Sequence, residues 1–543
     1  MPNSVVRVPV PRNEPVLSYG PGSSQKASLK AKLKEMLAEK IDIPLIIGGQ
    51  EVRTGRTSEA VCPHDHGHVL ASFHQAGARE VEMAVEASSK AWHDWSEMPW
   101  EARAAVFLKA AELLAGPWRD TLNAATILNQ SKTVQQAEID SACELIDFFR
   151  FNAHFAQQIY GGQPNSAAGL WNRSEYRALE GFVFAVTPFN FTAIAGNLPS
   201  APALMGNTAL WKPASTAVFS GYYVMRLLEE AGLPPGVINF LPGSGSQVGA
   251  PAVASSELAG IHFTGSTGVF QGMWRSIGEN IASYRGYPRI VGETGGKDFI
   301  FAHPSADVQS LVIAMVRGAF EYQGQKCSAA SRAYVPRSLW PEVKERLQAE
   351  VERITMGSPL DFSNFMAAVI DRSSFEKQKG AIELARRSKD AEVVCGGGCD
   401  DSEGYFVQPT VVQALEPRFH LMEEELFGPV LTLYVYEDDQ LDETLRVCDT
   451  TSPYALTGAI FARDRGVIEH MSHRLRHAAG NFYINDKPTG AVVGEQPFGG
   501  SRASGTNDKA GSAANLMRWT SVRSIKENFV PAGDFVYPHM AEE

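Results

Sequence analysis

No run of about 18 apolar residues occurs in the 543-residue chain, so no stretch reads as a helix that spans a bilayer. Basic residues are in deficit: 49 Lys and Arg against 61 Asp and Glu leave a formal net charge of -12. That balance argues against general affinity for nucleic acid or for an anionic membrane surface. Cysteine is scarce, with six in the whole chain. With no signal peptide, so few cysteines predict free thiols in a reducing compartment. The first 13 residues hold Arg7 and Arg12 and no acid, as a transit peptide would. Pro2, Pro9 and Pro11 forbid the amphipathic helix such a peptide needs, so a cytosolic start is expected, or the mitochondrial matrix for a mature eukaryotic form. No period of roughly 20–50 residues repeats.

Metal-ligand spacing is also missing. Cys62-Pro63-His64-Asp65-His66-Gly67-His68 has the composition of a metal site, but no second Cys/His cluster follows it. It reads as a hairpin turning at Asp65–Gly67. Cys395-Gly396-Gly397-Gly398-Cys399 lacks the second pair that zinc wants. No metal is expected.

What is present is an ordinary globular composition, 44% hydrophobic and 20% charged, long enough for two or three domains. Residues 1–24 read as an extended surface segment. Ser23–Lys40 reads as a helix with Leu29, Leu33 and Leu37 on one face, and Pro44–Gly49 with Glu51–Arg53 as a strand pair turning at Gly48-Gly49. Helices are expected at Ala78–Trp95, Trp100–Ala115, Thr121–Asn129 and Val134 to about Tyr160, with Glu144 beside the apolar stripe of the last. Leu170–Arg177 reads as a short strand. From Gly181 strand and helix alternate, the sign of an α/β fold with an open parallel sheet and ligand sites at its carboxyl edge. A second, less regular α/β region follows over residues 295–485, including an expected strand Val407–Val412. The aromatics of the tail, Trp519 and Phe535–Tyr537, suit an interface.

Chemistry concentrates around Gln323-Gly324-Gln325-Lys326-Cys327-Ser328, between the helix-like Val308–Tyr322 and a strand at Arg332–Pro336. A cysteine behind a glycine, with small residues after it, can expose its sulfur while its backbone N–H stays free for an oxyanion. Taken alone, a lone cysteine is more often inert packing. Four strand-end motifs converge with it. Thr187-Pro188-Phe189-Asn190-Phe191 offers an amide N–H₂ for an oxyanion and an aromatic wall. Trp211-Lys212-Pro213 offers a lysine to ribose hydroxyls. Phe263-Thr264-Gly265-Ser266 opens a helix, where free N–H groups bind a pyrophosphate. Gly292-Glu293-Thr294-Gly295-Gly296 puts a carboxylate on a glycine loop, in reach of a water it could deprotonate.

In order and together with Gly324–Cys327, Glu425-Leu426-Phe427-Gly428-Pro429 and Pro497-Phe498-Gly499-Gly500, these motifs resemble the aldehyde dehydrogenases over roughly residues 40 to 520. Glu144–Asn152, Glu180–Asn197, Phe320–Ser328, Gly480–Gly490 and Gln496–Asp508 are most similar to the L-glutamate γ-semialdehyde (1-pyrroline-5-carboxylate) dehydrogenases within that superfamily. The resemblance implies the aldehyde dehydrogenase fold: a Rossmann-like NAD-binding domain, an α/β catalytic domain and a small oligomerisation element. Its implied boundaries are an N-terminal arm and helix over 1–40 and an NAD-binding domain over 41–294, interrupted near 161–180 by an oligomerisation hairpin. A catalytic domain over 295–492 follows, then a return and oligomerisation tail over 493–543.

It also implies oxidation of the semialdehyde to glutamate with NAD. Cys327 would be the nucleophile, Asn190 with the Cys327 N–H the oxyanion hole, and Glu293 the base that hydrolyses the thioester. Lys212, Ser215, Gly265, Ser266, Glu425 and Phe427 would contact NAD. Ser328, Gly490 and Ala491 would hold the substrate α-carboxylate between Phe191 and Phe498. Two positions depart from the family: Ala491 stands where relatives have serine, and Ser215 where many NAD-dependent members have an acid. The implied partners are a small-molecule substrate, a homodimer or higher homo-oligomer, and a proline dehydrogenase acting beside it, with no nucleic acid and no membrane. A non-catalytic scaffold and an enzyme for another carboxylate-bearing semialdehyde are the competing readings.

Overall fold

The computed structural model describes residues 5–541; Pro2, part of the extended 1–24 reading, lies outside the described residues. Among them, two seven-stranded sheets dominate. The first runs in the order Arg289–Glu293, Leu258–Thr264, Phe182–Val186, Thr208–Lys212, Ile238–Phe240, Leu45–Ile47, Gln50–Val52. Its five strands from 182 to 293 are parallel, and the final pair is antiparallel. The strand order reverses between Phe182–Val186 and Leu258–Thr264, which opens a crevice at their carboxyl ends.

Both faces of this sheet are covered, so its central strands Phe182–Val186, Thr208–Lys212 and Ile238–Phe240 are buried at every position. Phe182, Phe184 and Val186 face one core, while Val183 and Ala185 face another that also takes Ala209 and Trp211. The second sheet runs Ala391–Cys395, Thr410–Ala414, Val430–Tyr436, Ala330–Pro336, Asp298–Ala302, Thr457–Phe461, Asn481–Ile484. Every neighbour pair is parallel except the first. Ile300, Ala333 and Val335 fill one of its cores and Phe299, Phe301 and Ile460 the other.

Several expectations need correction. The hairpin at residues 62–68 turns at Pro63-His64, with Cys62 paired to Asp65, and not at Asp65–Gly67. In the first helix, Ser24–Leu37, Leu29 and Leu33 are buried and Leu37 packs half-buried against the same core, with Met36 added to the buried face. The expected strand Val407–Val412 is split at Pro409, which has no N–H for a ladder. Phe406–Val407 pairs with Cys399–Asp400, and Thr410–Ala414 joins the large sheet. The long helix expected from Val134 contains a π-helical segment, Glu138–Glu144, before Leu145–Gly161. Trp519 is fully buried in the core and offers nothing to an interface, whereas Phe535 and Tyr537 are 83% and 65% exposed.

The N-terminal segment is not simply laid on the surface. Tyr19 is buried and its hydroxyl donates to Glu138 at 2.8 Å, while Asn13 and Glu14 bond to Asp147. Leu170–Arg177 pairs antiparallel with Ser521–Asn528, so the tail returns to the segment that interrupts the first half of the chain.

Candidate active site

The two sheets meet edge to edge. Loops Thr187–Phe191 and Gly265-Ser266, with Glu293 itself, leave the carboxyl ends of three adjacent strands of the first sheet. Asp298, Ala330, Thr457 and Asn481 begin four strands of the second. The first strand set passes into the second through Thr294–Lys297, and the chain returns to the first after Asn481–Ile484, where Thr506 N donates to Gly292 O at 2.9 Å. A Cβ on Gly296 would lie 2.4 Å from the Cys327 carbonyl oxygen, so the Thr294–Lys297 crossing lies directly against the cysteine loop.

Helix Val308–Phe320 stops short of the expected Tyr322 because Tyr322 and Gln323 adopt left-handed φ values of 50° and 55°. Two buried glutamines hold the loop that follows. Gln323 Nε2 donates to Ala368 O at 2.7 Å, and its Oε1 accepts from Ala367 N at 3.1 Å. Gln325 Oε1 accepts from Ile370 N at 2.9 Å. The Gln325 carbonyl in turn accepts from Asn190 Nδ2 at 3.0 Å, which brings that amide beside the cysteine with one N–H still free.

Cys327 is 7% exposed, so its sulfur meets a cavity and not bulk water as its sequence context suggested. Burial, then Asp298, Glu293 and Glu425, push its thiol pKa well above the usual range. The cavity, about 270 Å³, has Cys327, Glu293, Phe191, Phe498, Ser328, Gly490 and Ala491 among its lining residues. Burial raises the Glu293 pKa well above the carboxylate norm, against the Gly500 N–H that donates to Oε2 at 3.1 Å and the nearby Lys509. A thiol and a basic carboxylate on one enclosed space can add to a carbonyl and then deprotonate a water.

Further side chains complete the site. Thr489 Oγ1 lies 2.8 Å from Ser328 Oγ and ties the Gly490 loop to the cysteine loop. Buried Asp140 accepts from Thr192 N and Ala193 N at 2.9 Å each, which fixes the helix start behind Asn190-Phe191. Lys132, also buried, pairs with Asp140 at 2.6 Å and lies 4.3 Å from the Phe191 ring centroid. Glu144 does face the cavity, and burial with Asp140 beside it lifts its pKa to about 8. Lys132 and Asp140 carry no motif, so only the fold could reveal them.

Lys212, Ser215, Gly265, Ser266, Glu425 and Phe427 are not among the lining residues of that cavity. Lys212 is buried, its Nζ donates only to Pro213 O at 3.0 Å, and burial lowers its pKa to about 8. Ser215 opens a short 3₁₀ turn and is exposed. Ser266 precedes the 13-residue helix Thr267–Glu279 but makes no side-chain cap, and space is open around Gly268. That open helix start fits a pyrophosphate. Glu425 accepts from Gly296 N at 2.8 Å, and Phe427 packs edge-on to Phe189 with centroids 5.8 Å apart. These residues therefore lie outside the cavity that Cys327 lines. Among the described residues no group of three or more His, Cys, Asp or Glu could hold a metal ion.

The aldehyde dehydrogenase family model matches residues 51–525. The chain belongs to the aldehyde dehydrogenase family. This aldehyde dehydrogenase is 56% identical over 538 residues to a protein of Dictyostelium discoideum named delta-1-pyrroline-5-carboxylate dehydrogenase, mitochondrial, covering 98% of this chain and 96% of that relative. Its fold matches a crystal structure of the delta-pyrroline-5-carboxylate dehydrogenase from Mycobacterium tuberculosis bound with NAD, with TM-score 0.96 and 53% identity over 99% of this chain and all of that one. It also matches proline utilization A from Bdellovibrio bacteriovorus, with TM-score 0.92 and 28% identity, over 97% of this chain but 54% of that one. No helix among the described residues is long and apolar enough to cross a membrane.

Proposed function

We propose that this chain oxidises L-glutamate γ-semialdehyde, the open form of 1-pyrroline-5-carboxylate, to L-glutamate with NAD. The observation that carries the reading is the placement of Cys327 and Glu293 on one cavity whose lining also includes Ser328, Gly490 and Ala491. A nucleophile, a base and an anion nest within a single enclosure match an aldehyde that bears a carboxylate. The identity to proteins of that name over nearly the whole chain supports the same substrate.

Cys327 gives its proton to water and its sulfur adds to the aldehyde carbon, making a thiohemiacetal whose oxygen bears the charge. The free Asn190 N–H and the Cys327 backbone N–H hold the oxyanion. Phe191 and Phe498 confine the aliphatic chain, while N–H groups of Gly490 and Ala491 with the Ser328 hydroxyl hold the α-carboxylate. NAD, when bound, supplies the hydride acceptor. Lys212, Ser215, Gly265, Ser266, Glu425 and Phe427 would hold it. Glu293 then takes a proton from water, whose oxygen attacks the thioester and releases glutamate with the Cys327 thiol.

Two-electron oxidation of proline yields 1-pyrroline-5-carboxylate, so a proline dehydrogenase is a fitting upstream partner, in keeping with the likeness to proline utilization A. A reducing aqueous compartment, the cytosol or the mitochondrial matrix, suits the free cysteines. The exposed Trp171, Val522 and Phe529 near the Leu170–Arg177 sheet would be covered in a homo-oligomer, read by light scattering.

The decisive experiment follows NADH from wild type, Cys327→Ser and Glu293→Gln. Wild type should turn over the semialdehyde, the serine variant should be inactive while still binding NAD, and the glutamine variant should give one burst and stall. A serine variant keeping a tenth of the activity, or a glutamine variant losing burst and steady state alike, would overturn these roles.

A further inference from the structure

We infer that Lys509 positions Glu293 for thioester hydrolysis by pinning the Gly499-Gly500 turn on which that carboxylate rests. The inference rests on the hydrolytic role proposed for Glu293. Lys509 Nζ donates to Gly480 O at 2.8 Å, to Gly499 O at 3.0 Å and to Asn481 Oδ1 at 3.3 Å. An ammonium has three donors, and all three are used within the protein. Gly480-Asn481 leads into the edge strand of the second sheet, so the lysine ties that rigid edge to the turn. Asn481 reinforces the tie, accepting from Gly499 N and donating to Pro497 O, each at 3.1 Å. From the turn, Gly500 N–H donates to Glu293 Oε2 at 3.1 Å, and among the described residues it is the sole donor to that carboxylate. Lys509 therefore stands one peptide away from the base.

A second observation is independent of those bonds. Lys509 has φ 54° and Asn507 has φ 56°, in the left-handed region where glycine is least costly. A lysine held there is costly relative to glycine, which fits a position where the side chain contributes. Its charge also matters to the base. Lys509 favours the carboxylate form of Glu293 and Asp508 opposes it; the cavity that Glu293 lines also holds the Cys327 thiol, Asp140, Glu144, His262, Arg317, Glu321, Lys326 and Lys487. Lys509 is the cation whose charge acts on Glu293, and Glu293 in turn favours its ammonium form against burial.

The test is stopped-flow NADH formation by the full-length enzyme with NAD and L-glutamate γ-semialdehyde, across pH, for wild type, Lys509→Met and Lys509→Gln. The methionine variant should keep its first turnover within about threefold of wild type but lose about tenfold or more in steady state. The acidic limb of its steady-state profile should move to higher pH, because the cation favouring ionised Glu293 is gone. Glutamine keeps a donor for Gly499 O without the charge, so it should recover part of the hydrolysis while the limb stays displaced. Equal losses in first turnover and steady state for the methionine variant would make Lys509 a fold residue and overturn the inference. So would a glutamine variant whose acidic limb coincides with that of wild type. Wild type making no NADH would instead refute the proposed function itself.

Discussion

The carboxylate of Glu425 occupies the space a side chain on Gly295 would need: a Cβ there would lie 2.2 Å from Oε2. Gly295→Ala should therefore displace Glu425 from its 2.8 Å bond with Gly296 N. If Glu425 holds the nicotinamide end of NAD, the KM for NAD should rise about tenfold or more, with the thermal midpoint little changed. An unchanged KM would separate Glu425 from the cofactor.

Ser215 is neutral and exposed at the start of its turn. NAD should be preferred, with measurable use of NADP, because no acid repels a 2′-phosphate there. Ser215→Glu should raise the NAD/NADP ratio of kcat/KM by about tenfold, as one like charge can. A ratio that stays fixed would place the adenosine ribose elsewhere.

Gly490 has φ 92°, and Lys487 Nζ lies 3.3 Å from where its Cβ would be. A branched side chain there would be strained and would block the N–H groups meant for the substrate carboxylate. Gly490→Val should raise KM steeply for L-glutamate γ-semialdehyde and much less for propanal. Equal losses for both would show that the loop shapes the fold and does not read the carboxylate.

His262 is buried against Trp519, its Nδ1–H donates to Leu198 O at 2.8 Å, and burial lowers its pKa from 6.5 to about 4. A folded-state pKa below the unfolded value gives stability that is fully present above pH 6.5 and is lost as pH falls towards 4. The loss should reach on the order of 3 kcal/mol. Urea midpoints of wild type and His262→Phe should converge as pH falls through that window. Parallel curves would mean the histidine titrates normally.

Much of the catalytic chemistry was legible in local pattern. Strand Phe182–Val186 reads from its apolar run, and Asn190, Glu293 and Cys327 stand out because motifs at element ends need special residues. The helix Arg372–Arg387 went unread although Asp371, whose carboxylate accepts from Ser374 N at 2.8 Å, marks its start. Its polar composition hid a narrow stripe of Phe375, Ala381, Ile382 and Ala385.

The sequence by itself determined the alternation of strands and helices and the strand-end motifs, because these depend on neighbours a few residues apart. Tertiary structure decided the rest. That the carboxyl edge of one sheet meets the amino edge of the other depends on how two separate cores pack. The Lys132–Asp140 support beneath Phe191 and the Lys509 tie to the turn under Glu293 join residues whose local context is unremarkable. Such partners answer to burial and unsatisfied donors, which exist only once the chain has folded.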